Sequence, residues 1–108
     1  MTNKGARLIF RHRQLIFKEE KLVGVVDMRI YEIPQRRAYE EGIKYSLTFA
    51  RFNPNTENFE GDYLRYDNYK EHGHHKHMMV KRVPYEFESV EKLIENFYAD
   101  LERILEEL

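Results

Sequence analysis

Cysteine is absent from all 108 residues, and its absence removes disulfide frameworks, zinc ribbons and thiol nucleophiles from consideration. No stretch approaches the roughly 18 uninterrupted apolar residues that a membrane-crossing helix needs, and the N-terminus MTNKGARLIF lacks a signal-type apolar run. No Gly-rich phosphate loop, Ser-His-Asp order, internal repeat or low-complexity tract is visible apart from a local group of histidines. Charge is close to balance at a formal -1, which argues against an obligate polyanion binder. These absences lead to the expectation of a cytoplasmic protein with no membrane association.

At this length a single domain over residues 1–108 is expected. Such a domain buries roughly 60 to 70% of the surface of its unfolded chain, enough to fold without staples. The near-zero charge hides an asymmetry. From Glu86 onward eight acidic residues stand against Lys92 and Arg103, net -6, so residues 1 to 85 must carry +5 to give -1 overall. A basic body beside an acidic end reads either as a phosphate-facing surface or as ordinary solvated charge. Glu is heavily used and 34% of residues are charged, a composition seen in thermophile proteins.

Period-2 alternation dominates the first three quarters of the chain, within about residues 6 to 88. ARLIFRHRQLIF alternates with Leu8 and Phe10 on one face and Arg7, Arg11 and Arg13 on the other; KEEK at 18 to 21 supplies a reverse turn. Next, Leu22, Val26, Met28 and Ile30 share a side opposite Asp27 and Arg29, until Pro34 stops the strand. Ile43, Tyr45, Leu47 and Phe49 alternate with Lys44, Ser46 and Thr48, the cleanest strand signal present. NPNTENFEGD at 53 to 62 reads as a hairpin loop before a fourth strand from Tyr63 to Asn68, and HHKHMMVKRV reads as one fifth strand.

The end is helical, about 90 to 107. Ser89 is a good N-cap, and Val90, Leu93, Ile94, Phe97, Leu101, Ile104, Leu105 and Leu108 form one apolar stripe at 3 and 4 spacing. A stripe of that size must lie on one face of the sheet. The expected fold is therefore α+β: an antiparallel β-meander of about five strands with a C-terminal amphipathic helix packed on one face. The opposite face should carry the Arg, Lys and His side chains.

Chemistry concentrates in one place. His72, His74, His75 and His77 admit three readings: a metal site formed by these four imidazoles, acid-base chemistry on a phosphodiester, or a polar surface strand. Arg65 and Asp67 precede them on the neighbouring predicted strand, and a tight connection would set them across from His75 and His77. The bland alternative there is an exposed cross-strand ion pair of little energetic consequence. Together the groups have the parts of metal-free RNA cleavage: a base for the 2′-hydroxyl proton, an acid for the leaving 5′-oxygen and a cation for the phosphate.

The segment from Arg65 to Leu105 also resembles the TumE-type toxin family of bacterial and archaeal toxin-antitoxin pairs. It contains an R-Y-D-N tetrad, a short loop, H-H-x-H, a P-Y-x-F step and an amphipathic helix, with a weaker likeness in the Y-S-L-T-F strand. The matching positions are Arg65, Tyr66, Asp67, Asn68, His74, His75 and His77. The resemblance implies a toxin with RNA-directed activity and a small cognate antitoxin. The resulting expectation is a metal-independent endoribonuclease acting on single-stranded RNA with no cofactor. His75 and His77 are its acid-base pair, Arg65 its phosphate contact and Asp67 the orienter or base. Lys76, Lys81, Tyr66 and Asn68 are the expected RNA contacts, and a homodimer is compatible with this set. The competing expectation is a non-enzymatic binding protein or a His-rich metal-binding module.

Overall fold

A computed structural model describes residues 5–34, 41–68 and 73–108. Six strands run in chain order through one antiparallel sheet: β1 (Arg7–Lys18), β2 (Lys21–Glu32), β3 (Ile43–Asn53), β4 (Asn58–Asp67), β5 (His75–Met78) and β6 (Lys81–Pro84), followed by α1 (Val90–Glu106). The meander and its helix agree with the expected α+β architecture, with one strand more than the alternation suggests.

The extra strand comes from a turn inside HHKHMMVKRV. Met79 takes a left-handed φ of 58°, and Met78 pairs with Lys81 across the bend. No Gly, Asn or Pro marks this reversal, so it cannot be read from turn chemistry. The KEEK turn is where alternation places it, with Glu19 and Glu20 both at positive φ and Lys18 opposite Lys21. β4 begins five residues earlier than Tyr63, because Phe59 pairs with Phe52 and their rings meet at 5.3 Å. A bulge at Ile9 gives a further correction: Leu8 lies opposite Tyr31 but Phe10 opposite Ile30, which puts Leu8 and Phe10 on different faces and separates Arg7 from Arg11 and Arg13.

Cross-strand register resolves the sheet into transverse rows. One row on the core face reads His12, Met28, Leu47, Tyr66, Lys76 and Val83; its neighbour reads Gln14, Val26, Phe49, Leu64, Met78 and Lys81. The middle members are fully buried beneath Leu93, Phe97, Leu101 and Ile104 of α1. At about 1.5 to 3 kcal/mol per large apolar side chain, those four helix residues contribute roughly 6 to 12 kcal/mol of gross transfer energy, an upper bound. Ser89 caps the helix, its Oγ accepting from Lys92 N at 3.1 Å. β1 is largely uncovered on both faces, with Leu8, Ile9, Leu15 and Phe17 exposed, although Lys18 Nζ reaches the Leu105 carbonyl of the helix at 2.6 Å. Among the described residues no helix is long and apolar enough to cross a membrane.

Candidate functional site

The opposite face of the sheet follows from the same register. One row crosses all six strands as Arg11, Arg29, Ser46, Asp67, His75 and Pro84, and the next as Arg13, Asp27, Thr48, Arg65, His77 and Arg82. Period-2 alternation on β4 and β5 thus sets Asp67 opposite His75 and Arg65 opposite His77, as the sequence leads one to expect.

The four side chains form a chain of contacts. His75 Nδ1 lies 2.9 Å from the Gly73 carbonyl and its Nε2 lies 3.0 Å from Asp67 Oδ1. Both ring nitrogens therefore face oxygen acceptors. Asp67 Oδ2 is 2.9 Å from Arg65 Nε, and Arg65 Nη2 donates to His77 Nε2 at 3.2 Å. Arginine can only donate, so His77 Nε2 presents its lone pair and the ring is neutral. Burial, reinforced by the nearby Arg65, His75 and Arg82, holds the His77 imidazole below its ordinary pKa, with Asp67 opposing.

Burial differs along this chain in a way alternation does not reveal. The His75 side chain retains 5% of its exposure and Asp67 15%, whereas Arg65 keeps 36%. His75 is thus a packed side chain, a correction to its expected exposure on an open face. His77, half-buried, stands at the mouth. The cleft in front of it has a volume of about 380 Å³ and is lined by Lys44, Tyr45, Ser46, Arg65, Asp67, His75, His77 and Arg82. Lys44, Ser46 and Arg82 were not singled out in the sequence, yet alternation on β3 puts Lys44 and Ser46 on this face. Only the split of the fifth strand brings Arg82 opposite His77.

Other expected site residues lie elsewhere. Tyr66 has no exposed surface: its hydroxyl donates to Asp100 of α1, and its ring packs against Tyr85 and Phe97. Burial and that hydrogen bond push the Tyr66 hydroxyl strongly upward. Lys76 sits beside it, Nζ 2.9 Å from Asp100 Oδ2. Asn68 splints the sheet, Oδ1 accepting from Tyr45 N at 3.0 Å and Nδ2 donating to the Ile43 carbonyl at 2.7 Å. Lys81 is exposed on the row that ends the core face. The expected RNA contacts Tyr66, Lys76, Asn68 and Lys81 are thereby separated from the His75–His77 cleft.

Among the described residues, the histidines of the expected metal alternative do not converge. His74 turns away from His75 and His77: its Nδ1 meets the Tyr45 hydroxyl at 2.8 Å, its Nε2 meets Glu41 at 3.2 Å, and its ring stacks on Phe87 at 5.0 Å. His72 lies outside the described residues. Among the described residues no three His, Asp or Glu side chains gather in a metal-holding group.

A family model described as Toxin TumE matches residues 5–105. Comparisons with curated proteins and with solved structures find no match.

Proposed function

Since the chain belongs to the TumE toxin family, toxins of toxin-antitoxin systems with a cognate antitoxin as partner, we propose that it cuts single-stranded RNA in the cytoplasm without a metal ion, using the Arg65–Asp67–His75–His77 cleft. The observation that carries this reading is the contrast between the two imidazoles: His77 Nε2 faces the donating Arg65 guanidinium, while both ring nitrogens of His75 face oxygens, of Gly73 and Asp67.

In this reading the 2′-hydroxyl gives its proton to His77 Nε2 as the 2′-oxygen bonds to phosphorus. Arg65 turns one N–H from His77 to the phosphate and stabilises the added negative charge. The bond from phosphorus to the 5′-oxygen then breaks, and that oxygen takes the His75 Nε2 proton. His75 Nε2 reaches it by exchanging its contact with Asp67 for one with the leaving oxygen when substrate is bound. Asp67 meanwhile anchors both Arg65 and His75.

The test is product analysis with untagged protein in excess EDTA. A 2′,3′-cyclic phosphate and a free 5′-hydroxyl are the expected ends. Activity that needs added metal, or a 3′-hydroxyl product, contradicts the scheme. Absence of cleavage with no antitoxin bound makes a binding protein the better reading.

A further inference from the structure

The +5 carried by the first 85 residues is not spent at the histidine cleft. Two rows converge on β1 and β2, where Arg11, Arg13 and Arg29 lie 3.7, 3.0 and 3.5 Å from the single carboxylate of Asp27. Three guanidiniums on one carboxylate leave a local charge of +2. Each guanidinium has five donors, and a carboxylate accepts only about four hydrogen bonds, so most of these donors remain for a ligand. The arginine side chains are 46, 54 and 48% exposed, while Asp27 is only 17% exposed beneath them. The arrangement resembles a floor carboxylate that gathers arginines rather than three separate surface pairs.

This cluster is continuous with the cleft. A shallow basin of about 400 Å³, lined by Asp27, Arg29, Tyr31, Lys44, Ser46 and Thr48, shares Lys44 and Ser46 with the cleft around His77. From Arg29 to Asp67 the row passes through Ser46, two strand spacings or about 9 to 10 Å. Arg11 and Arg13 lie one strand farther, about 14 to 15 Å from β4. Guanidinium forks suit phosphate oxygens, and the path between the two clusters carries the Ser46 and Thr48 hydroxyls and the Lys44 ammonium.

We propose that Arg11, Arg13 and Arg29 form a phosphate-holding subsite for the nucleotides that flank the scissile bond, so that single-stranded RNA lies across the strands from β5 to β1. The proposal rests on the ribonuclease reading of the cleft and adds where the rest of the substrate goes. It also explains how a chain with a near-neutral total charge holds a polyanion: the acidic helix and the arginine rows occupy opposite faces.

The experiment compares the parent with Arg11→Gln/Arg13→Gln/Arg29→Gln and with the corresponding Arg→Lys triple. The first readout is binding of an uncleavable 2′-deoxy oligonucleotide of about twelve residues across a salt series. The Gln triple should bind on the order of 10- to 100-fold more weakly, and its log-log salt slope should fall by about 2, given roughly 0.7 per neutralised phosphate on a single strand. The Lys triple should keep most of the slope. The second readout is the preference for a long RNA over a dinucleotide, which should shrink in the Gln triple. If the triple does not fold, Arg11→Gln/Arg13→Gln on the open edge strand gives the same test with a smaller effect.

An unchanged salt slope in a folded variant overturns the subsite, whatever the parent does to RNA. A parent that cleaves neither length yet loses oligonucleotide binding in the Gln triple removes the ribonuclease reading and supports the subsite. Tighter binding of an acidic peptide than of the oligonucleotide, lost in the same variant, assigns the surface to a protein partner and overturns the proposal.

Discussion

Residues one position apart build two different regions of this molecule. On β4, Leu64 and Tyr66 point under the helix and are fully buried, while Arg65 and Asp67 between and after them point into the cleft. On β5, Lys76 and Met78 face the core and His75 and His77 face the cleft. The inner face gains stability from apolar burial. The outer face joins charges that would be costly anywhere drier, and the partial exposure of Arg65 keeps that arrangement affordable. A ten-residue strand such as β4 can therefore carry folding and chemistry at once, provided its register never slips.

Each face holds an exception. Asp100, at 1% exposure on the buried side of α1, receives Tyr66, Lys76 and Arg103. His75 is the converse, a packed residue on the chemical face. These two residues are where the comparison is most easily broken.

The largest effect is expected from removing Val90 to Leu108, which should leave protein that is insoluble or shows no cooperative melting, because the apolar rows lose their cover. A soluble, cooperatively melting truncation would overturn the packing account. Next, Phe97→Ala should cost about 3 to 5 kcal/mol by denaturant unfolding, as for other buried aromatic truncations.

Asp100→Ala should cost about 3 kcal/mol, since it removes the buried carboxylate that Lys76 and the Tyr66 hydroxyl share. Its pH signature is more specific. Burial alone would raise the Asp100 pKa, but the bonds from Tyr66, Lys76 and Arg103 outweigh it and hold the carboxyl below the ordinary value. A lowered folded-state pKa gives stability that is full above the ordinary carboxylate value and disappears as pH falls through the lowered one. Asp100→Asn should therefore flatten the loss of melting temperature in acid; an equally steep loss would place the acid-sensitive group elsewhere.

His75→Ala should cost about 1 to 3 kcal/mol, because it removes the buried ring that contacts both the Gly73 carbonyl and Asp67 Oδ1. A loss of activity with no change in melting temperature would mean that His75 is freer than its burial indicates. The smallest effect belongs to Arg7→Ala, at most about 1 kcal/mol, since the Arg7–Glu32 pair is 68% and 54% exposed.

Much of this comparison was legible in the alternation. The meander, the KEEK turn, the helix and the meeting of Arg65 and Asp67 with His77 and His75 all follow from period 2 and period 3.6. The same alternation already sets Lys76 opposite His75 and His77, and Tyr66 beside Leu64. What it cannot show is that α1 lays Asp100 over both, which turns a lysine and a tyrosine suited to RNA into buried structural partners. Asp100 itself reads as part of an acidic solvated face, since its burial depends on the helix angle and not on spacing. The turn at Met79 and Val80 was hidden because neither residue favours a left-handed backbone, and with it the place of Arg82. The arginine rows required the register of three strands at once.

The central claim is that chemistry resides on the outer face and can be removed without touching the inner one. Single-stranded RNA cleavage in EDTA by His77→Ala, measured beside its melting temperature, tests it most directly. The predicted result is a rate lower by about 10² to 10⁴ with stability changed by less than about 1 kcal/mol. In the parent, activity should persist at neutral pH and fall as acid protonates His77, whose pKa lies below the ordinary imidazole value. A variant that cleaves as fast as the parent, at the same melting temperature, would contradict the account.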